Sequence, residues 1–492
     1  MGNTLQGNGA VEEAQRILRE DTVNCSDYLM SFDTSDGGNA DAFVAMYDSE
    51  FLYVRELGWL HWNGKYWEQD EAKVMLAMRN SFDTRHDCFN RHGRDNEANQ
   101  TKRATYKLRA ALEQAESILA TPIEDFDTNR DEINVDNGVY NLKTGTLIPH
   151  DPSQFFTYCL RAPYDNEADM TVIEGFMVKV LTREGEDKPN QELIDFVQTA
   201  LGYSLTGHTK EEKLFYLYGK LGRNGKGSIT EALMELIPSP IAMEVDFSTF
   251  IAKRDGDAQN FDLAGMKPSR LIFASESNKY QMLNPASIKK LTGGNWVRAR
   301  HLYKDFFEYR PQYKPWLSSN HPVNGDPDDS VLWNRVLVIE LPNSYIDRED
   351  KDLKDRLKTL QAQTGLLRWL AIGAKRWYKD GLVIPEQVKL STKRQQEDIN
   401  VFSNWEEEDT EHQDGYFVAH TDLYQNYVTW CEAQGVTPKG RNQFTEAMEK
   451  RGYTKDRSSG QRGFTGIRIV AEYEKIKILE KMTYIYRPFD DE

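Results

Sequence analysis

Long apolar runs are missing from this sequence. Nowhere do about 18 apolar residues follow one another, the length at which a helix spans a bilayer, so no membrane span is expected. The opening "MGNTLQGNG" has neither the basic start nor the apolar stretch of a secretion signal. Gln6 also stands where a myristoylation signal has Ser or Thr, so neither leader nor lipid anchor is expected. Cysteine is scarce: Cys25, Cys88, Cys159 and Cys431 are scattered and form no C-x-x-C pair, which points to a reduced, cytoplasmic setting. Positive charge is in deficit as well. Lys and Arg number 61 against 78 Asp and Glu, and a net charge of -17 excludes uniform coating by nucleic acid.

Any nucleic-acid site must therefore be local, and the charge is indeed segregated. From Ala286 to Trp316 run Lys289, Lys290, Arg298, Arg300, Lys304, Arg310 and Lys314 against only Asp305 and Glu308. A second basic stretch runs from Pro438 to Arg468. Between them Glu397 to Asp414 holds acids and no Lys or Arg, which reads as a linker over residues 401–414.

With 492 residues, 39% hydrophobic and 11% aromatic, the chain has material for several globular domains. "EFLYVRELGWLHWNGKYWEQD" alternates around Asn63-Gly64 and predicts a β-hairpin. Thr101 to Ala120 predicts an amphipathic helix, and "INVDNGVYNLKTGTLIPHDP" predicts short strands with glycine turns. Helical sequence over about 170–208 leads into an apolar strand, Leu214 to Tyr218. "SITEALMELI" then reads as a helix, and "SRLIFASES", "YKPWLSSN" and "NRVLVIEL" read as strands. Strands alternating with helices imply an α/β layer around a parallel sheet. Two helices and a basic two-strand segment close the sequence.

The segment "GKLGRNGKGS" lies between the first of these strands and its helix. It resembles G-x-x-x-x-G-K-[ST], with two departures: Gly219 is one residue early, and Gly227 stands where Ser or Thr follows the lysine. The chemistry survives both. Gly222, Arg223, Asn224, Gly225, Lys226, Gly227 and Ser228 would wrap phosphate oxygens in backbone N–H groups at a helix N-terminus, with Lys226 as the cation. Ser228 would take the place of the missing hydroxyl residue on Mg2+.

A nucleotide hydrolase also needs an acid at a neighbouring strand end, and Glu276 follows "RLIFAS". Asn320, closing "KPWLSSN", suits orientation of water or sensing of the γ-phosphate. Arg335, in "LWNR", suits stabilisation of transferring phosphate. Alone, each of these is an ordinary turn or surface residue; the order in which they occur carries the reading.

That order, "GKLGRNGKGS", "RLIFASES", "IKKLTGGNWVRARHLYKDFFEYRP", "KPWLSSNHPV" and "LWNRVLVIEL", resembles the superfamily 3 helicases, in particular the helicase half of phage, plasmid and poxvirus primase-helicases. Upstream, "DTSDGGNADAFVAMY", "LGWLHWNGKYW" and "INVDNGVYNLKTGTLIPHDP" resemble the domain preceding their motor. The resemblance implies an AAA+-like P-loop ATPase core, an α+β N-terminal domain and a C-terminal winged helix. The expected divisions are 1–165 (N-terminal helicase-associated), 166–210 (helical collar), 211–345 (ATPase core), 346–400 (helical), 401–414 (acidic linker), 415–475 (winged helix) and 476–492 (tail).

It also implies roles. Lys226 would be the Walker A lysine, Glu276 the Walker B glutamate, Asn320 the sensor, and Arg335 a finger acting on the next subunit's ATP. ATP and Mg2+ would be the cofactors, with Ser228 and Glu276 on the metal. Lys289, Lys290, Arg298, Arg300, His301 and Lys304 would belong to the DNA-contacting hairpin segment, and Asn442 and Gln443 would open a recognition helix. Asn295 follows "TGG" where the family often has Asp.

The expected activity is that of an ATP-dependent replicative DNA helicase of a phage or mobile element, cytoplasmic in a bacterial host. It would be a homo-oligomer, a hexameric ring, on single-stranded and forked DNA. No paired acidic ligands of a primase are recognised, so a separate primase would serve it. Two other readings stay open: an ATPase that loads or remodels replication proteins without unwinding, and a non-catalytic origin-binding initiator. His86, Cys88 and His92 in "HDCFNRH" lack a second ligand pair, so structural roles are expected there.

Overall fold

A computed structural model describes residues 22–470 except 48, 252–259, 276–281, 301–305, 328, 347, 399–400, 435, 437 and 459. The chain divides into two compact units, Met1–Met170 with Glu235–Ile241 and Lys358–Ala371, and Thr171–Met234 with Ala242–Leu357 and Ile372–Glu492.

In the first unit, α1 (Asp36–Met46) begins at Ser35, whose hydroxyl accepts the Gly38 N–H. The helix precedes an antiparallel meander of β1 (Phe51–Val54), β2 (Gly58–Trp62) and β3 (Trp67–Gln69). The expected Asn63-Gly64 turn joins β2 to β3, with Trp62 opposite Trp67. Two helices, α2 (Glu71–Arg91) and α3 (Thr105–Ile118), complete a core in which Phe43, Phe51, Val74, Phe82 and Leu112 meet. A second antiparallel sheet, β4 (Glu132–Val135), β5 (Gly138–Asn141) and β6 (Leu147–Ile148), is built on the glycine turns read from the sequence. In "HDCFNRH" the His86 and His92 rings each contact a backbone carbonyl, and Cys88 is buried on α2.

The second unit opens with α4 (Thr171–Leu181) and α5 (Gln191–Leu205), then builds a parallel sheet in the order β13-β7-β12-β9-β8. Its strands are β7 (Leu214–Tyr218), β8 (Ala242–Glu244), β9 (Leu271–Ser275), β12 (Lys314–Ser319) and β13 (Val336–Glu340). The central strands are continuous apolar runs because both faces are covered. Phe215 of β7 stacks on Trp316 of β12 at 4.3 Å. Helix α6 (Lys226–Leu236) follows β7 through the glycine loop, and α7 (Pro285–Thr292) precedes a hairpin of β10 (Val297–Arg300) and β11 (Phe306–Tyr309). Lys314, part of the basic stretch in the sequence, is buried: its ammonium donates to Thr206 O and to Gln312 O, the latter at 2.8 Å.

Residues 401–414 are not a linker. They form α8 (Val401–Asp409) and the first half of β14 (Thr410–Ala419). The physical reason is that Phe402 and Trp405 insert into a core with Tyr427 and Phe444, while Glu406 and Glu408, which follow them, face partners of opposite or polar character. Glu406 pairs with Arg451 and accepts from Tyr453, and Glu408 accepts from Trp430 Nε1 at 2.8 Å. With α9 (His420–Ala433), α10 (Arg441–Lys450), β15 (Thr454–Ser458) and β16 (Gln461–Ile469), this forms a three-helix module whose sheet runs β14-β16-β15.

Candidate functional site

The loop after β7 turns on three residues of positive φ: Gly222 (70°), Arg223 (43°) and Gly225 (93°). Gly225 is doubly constrained, because a Cβ there would come within 2.6 Å of Val180 on α4. Gly219, the glycine that stands early, has its own reason. The Asn224 side chain folds back over it, so a Cβ at 219 would meet Asn224 Cγ at 2.5 Å. The longer loop is thus filled from within.

Asn224 is buried and joins two structures. Its Oδ1 accepts from Lys226 Nζ at 3.1 Å, and its Nδ2 donates to Asn343 O at 2.6 Å. Asn343 is a residue that the sequence reading passed over. Its Nδ2 donates to Lys179 O and Thr182 O at 3.0 and 2.6 Å, its Oδ1 accepts from Glu184 N, and it is 8% exposed. The next residues continue the brace: Ser344 Oγ donates to Gly222 O, and Tyr345 N to Arg223 O. Nothing in the local sequence "LPNSY" marks this role; only the turn after β13 creates it.

Lys226 Nζ donates to Gly219 O at 3.1 Å and to Asn320 Oδ1 at 2.7 Å. Burial pushes its ammonium down to about 8, and among the described residues no carboxylate pairs with it. A desolvated cation ringed by neutral acceptors, at a helix N-terminus, is a receptor for anionic oxygen. The parallel register delivers Asn320 to this point: Ser319, at the end of β12, is level with Tyr218, at the end of β7. On the far side of β12, Ser275 of β9 lies level with Ser318, their hydroxyls 3.1 Å apart. Glu276 follows Ser275 in the sequence but lies outside the described residues. Gly227 has nothing within 4 Å of a would-be Cβ, so its lack of a side chain is no packing requirement. Ser228 is the next residue of α6 and is half-buried. Among the described residues, no cluster of His, Cys, Asp and Glu could by itself hold a metal ion.

Arg335 stands apart from this group. Its carbonyl accepts from Leu214 N at the opposite end of β7, about 13 Å along the strand from Tyr218. The guanidinium bonds Glu212 at 2.6 Å, and its Nε is buried with no hydrogen-bond partner among the described residues.

The hairpin β10–β11 alternates as a half-buried sheet does. Val297, Ala299 and Tyr309 are buried, whereas Trp296, Arg298, Arg300, Glu308 and Arg310 are exposed. His301 and Lys304 lie outside the described residues. Lys289 and Lys290 are exposed in the last turn of α7, where cations also complement the helix dipole. Asn442 and Gln443 occupy the first turn of α10 on an exposed surface; Gln443 Oε1 accepts from Gly440 N at 3.3 Å, which engages it as a cap.

Comparison with known proteins adds independent findings. Residues 40–182 match the family "D5 N terminal like", and residues 217–335 match a family of unknown function, DUF5906. The chain is 24% identical over 382 residues to "Putative helicase L207/L206" of Acanthamoeba polyphaga mimivirus, covering 71% of this chain and 39% of that protein. It is 22% identical over 308 residues to "Putative helicase 022R" of Frog virus 3, covering 58% and 31%. The chain thus spans about two fifths or less of the length of these relatives. A solved structure, the A form apo NrS-1 C terminal region, is similar at 10% identity with a TM-score of 0.44, covering 89% of this chain and all (100%) of that one.

Proposed function

We propose that the chain, which matches the D5 N terminal like family over residues 40–182 and is similar to viral putative helicases, is a member of the phage and poxvirus primase-helicases and acts as an ATP-dependent replicative DNA helicase of a viral or other mobile genome. The observation that carries this reading is the Lys226–Asn320 pair, held by the glycine loop at the ends of adjacent parallel strands. In this reading the parallel sheet is the core of an AAA+-like superfamily 3 motor, residues 1–165 are the helicase-associated domain, and the C-terminal module is a winged helix.

The residues present fit a nucleotide's phosphates. The N–H groups of 222–227 and the Lys226 ammonium offer donors, and only neutral oxygens among the described residues compete for the lysine. Magnesium supplies charge neutralisation on those phosphates, keeps much of its water, and needs few protein oxygens. Ser228 and Glu276 are the candidates. Lys226 binds and orients the terminal phosphates, and Asn320 fixes the ammonium from the side opposite the loop. Arg335 lies at the loop-distal end of β7, so it would serve a nucleotide held by another copy. A head-to-tail ring, a hexamer, brings such pairs together. The exposed basic hairpin would track single-stranded DNA through its phosphates, and Asn442 and Gln443 would touch duplex DNA. A separate primase would supply primers.

Unwinding of a forked duplex tests the proposal. Strand separation that requires ATP and is lost in Lys226→Ala supports it. DNA-stimulated ATP turnover without strand separation on any fork favours a loader, and turnover unchanged by Lys226→Ala removes the motor.

A further inference from the structure

Trp296 is 61% exposed, and it sits on the most basic face of the second unit's hairpin. The register explains its surroundings. Val297 pairs with Tyr309 and Arg298 with Glu308, so Trp296 and Arg310 continue the ladder as cross-strand neighbours on the outward face. The Arg310 guanidinium lies over the indole, 5.1 Å from the ring centroid. Arg298 and Arg300 follow at alternate positions on the same face, with Glu308 as the acid among them. The inward residues Val297, Ala299 and Tyr309 are fully packed, so the core does not need this indole.

An apolar ring of this size, backed by a cation and flanked by arginines in a chain of net charge -17, is matched by one kind of partner. A single nucleic-acid strand offers both flat π faces and regularly spaced phosphates. We propose that Trp296 is a base-stacking platform. One base of single-stranded DNA lies on the indole, Arg310 holds the ring from behind, and Arg298 and Arg300 meet the flanking phosphates. This rests on the reading of the hairpin as a DNA contact and adds a base contact to it.

The test measures binding of the full-length protein to labelled oligo-dT and to an abasic strand of equal length, over a salt series, with melting temperature as the folding check. Wild type is expected to prefer oligo-dT by about tenfold, and Trp296→Ala to erase that preference while keeping the salt slope. Trp296→Phe should retain most of it. Arg298→Ala should instead lower the salt slope, by about one, on both strands. Equal affinity of Trp296→Ala and wild type for oligo-dT, or an equal loss on both strands, overturns the stacking platform. A fall in particle mass in Trp296→Ala overturns it too, because the indole would then be a contact between copies. If Arg298→Ala also leaves the salt slope unchanged, the hairpin reading falls with it.

Discussion

The ammonium nitrogen of Lys226 lies 2.7 Å from Oδ1 of Asn320, two residues 94 positions apart in the chain. Strand register and the glycine loop bring them together. Asn320 directly follows β12, which ends level with β7, and the loop of residues 219–225 carries Lys226 back to the same strand ends.

That contact separates binding from turnover. Lys226→Ala is expected to abolish ATP hydrolysis and to weaken nucleotide binding, because it removes the desolvated cation at the loop. Asn320→Ala should leave binding within a few-fold and lower kcat by about 100-fold, the scale for removing one preorganised polar group. Steady-state kinetics and nucleotide titration distinguish the two.

A second expectation concerns pH. Burial holds the Lys226 ammonium at about 8 in the free protein, below the ordinary 10.5. Bound phosphate favours the charged form, so binding above that pH must take up a proton. ATP affinity should be flat below pH 8 and fall as pH rises through it, approaching about tenfold per unit. Isothermal titration between pH 7 and 9.5 reads this directly, and Lys226→Arg should flatten the profile.

Gly227 allows a gain rather than a loss. It occupies a helix without positive φ and with open space about it. Gly227→Ala should stabilise the protein by about 0.5–1 kcal/mol, visible in the denaturation midpoint. Gly227→Ser should also lower the magnesium concentration at half-maximal turnover; an unchanged magnesium dependence would show that Ser228 already fills that role.

Asn343 braces the loop from behind. Asn343→Ala takes a donor from the carbonyl of Thr182 and one from that of Lys179, which keeps the Tyr345 hydroxyl, and should cost about 1–3 kcal/mol. Asn343→Asp cannot donate to either carbonyl and should be no better. Nucleotide affinity should fall in both, measured alongside the melting temperature.

Much of this was legible before any coordinates. Leu214–Tyr218 stands as read, and β9, β12 and β13 fall inside their apolar runs, because a strand covered on both faces leaves an uninterrupted hydrophobic signature. The glycine loop was legible because positive φ demands particular residues. Asn343 was not, since a polar hub made by a turn has no period and no motif. Lys314 was misleading for a different reason: sequence counts a lysine as surface charge, whereas here backbone carbonyls hold its ammonium inside. Residues 401–414 failed likewise. Their acids outnumber their aromatics, and composition hides that the two aromatics, Phe402 and Trp405, are the anchors.

That last point decides where the chain can be divided. A C-terminal fragment beginning at residue 415 would leave behind Phe402, Trp405 and half of the sheet's first strand. It would also strand Arg451 and Tyr453 without Glu406. A fragment meant to fold alone has to start upstream of Val401, so the cut that keeps this module whole lies ahead of α8.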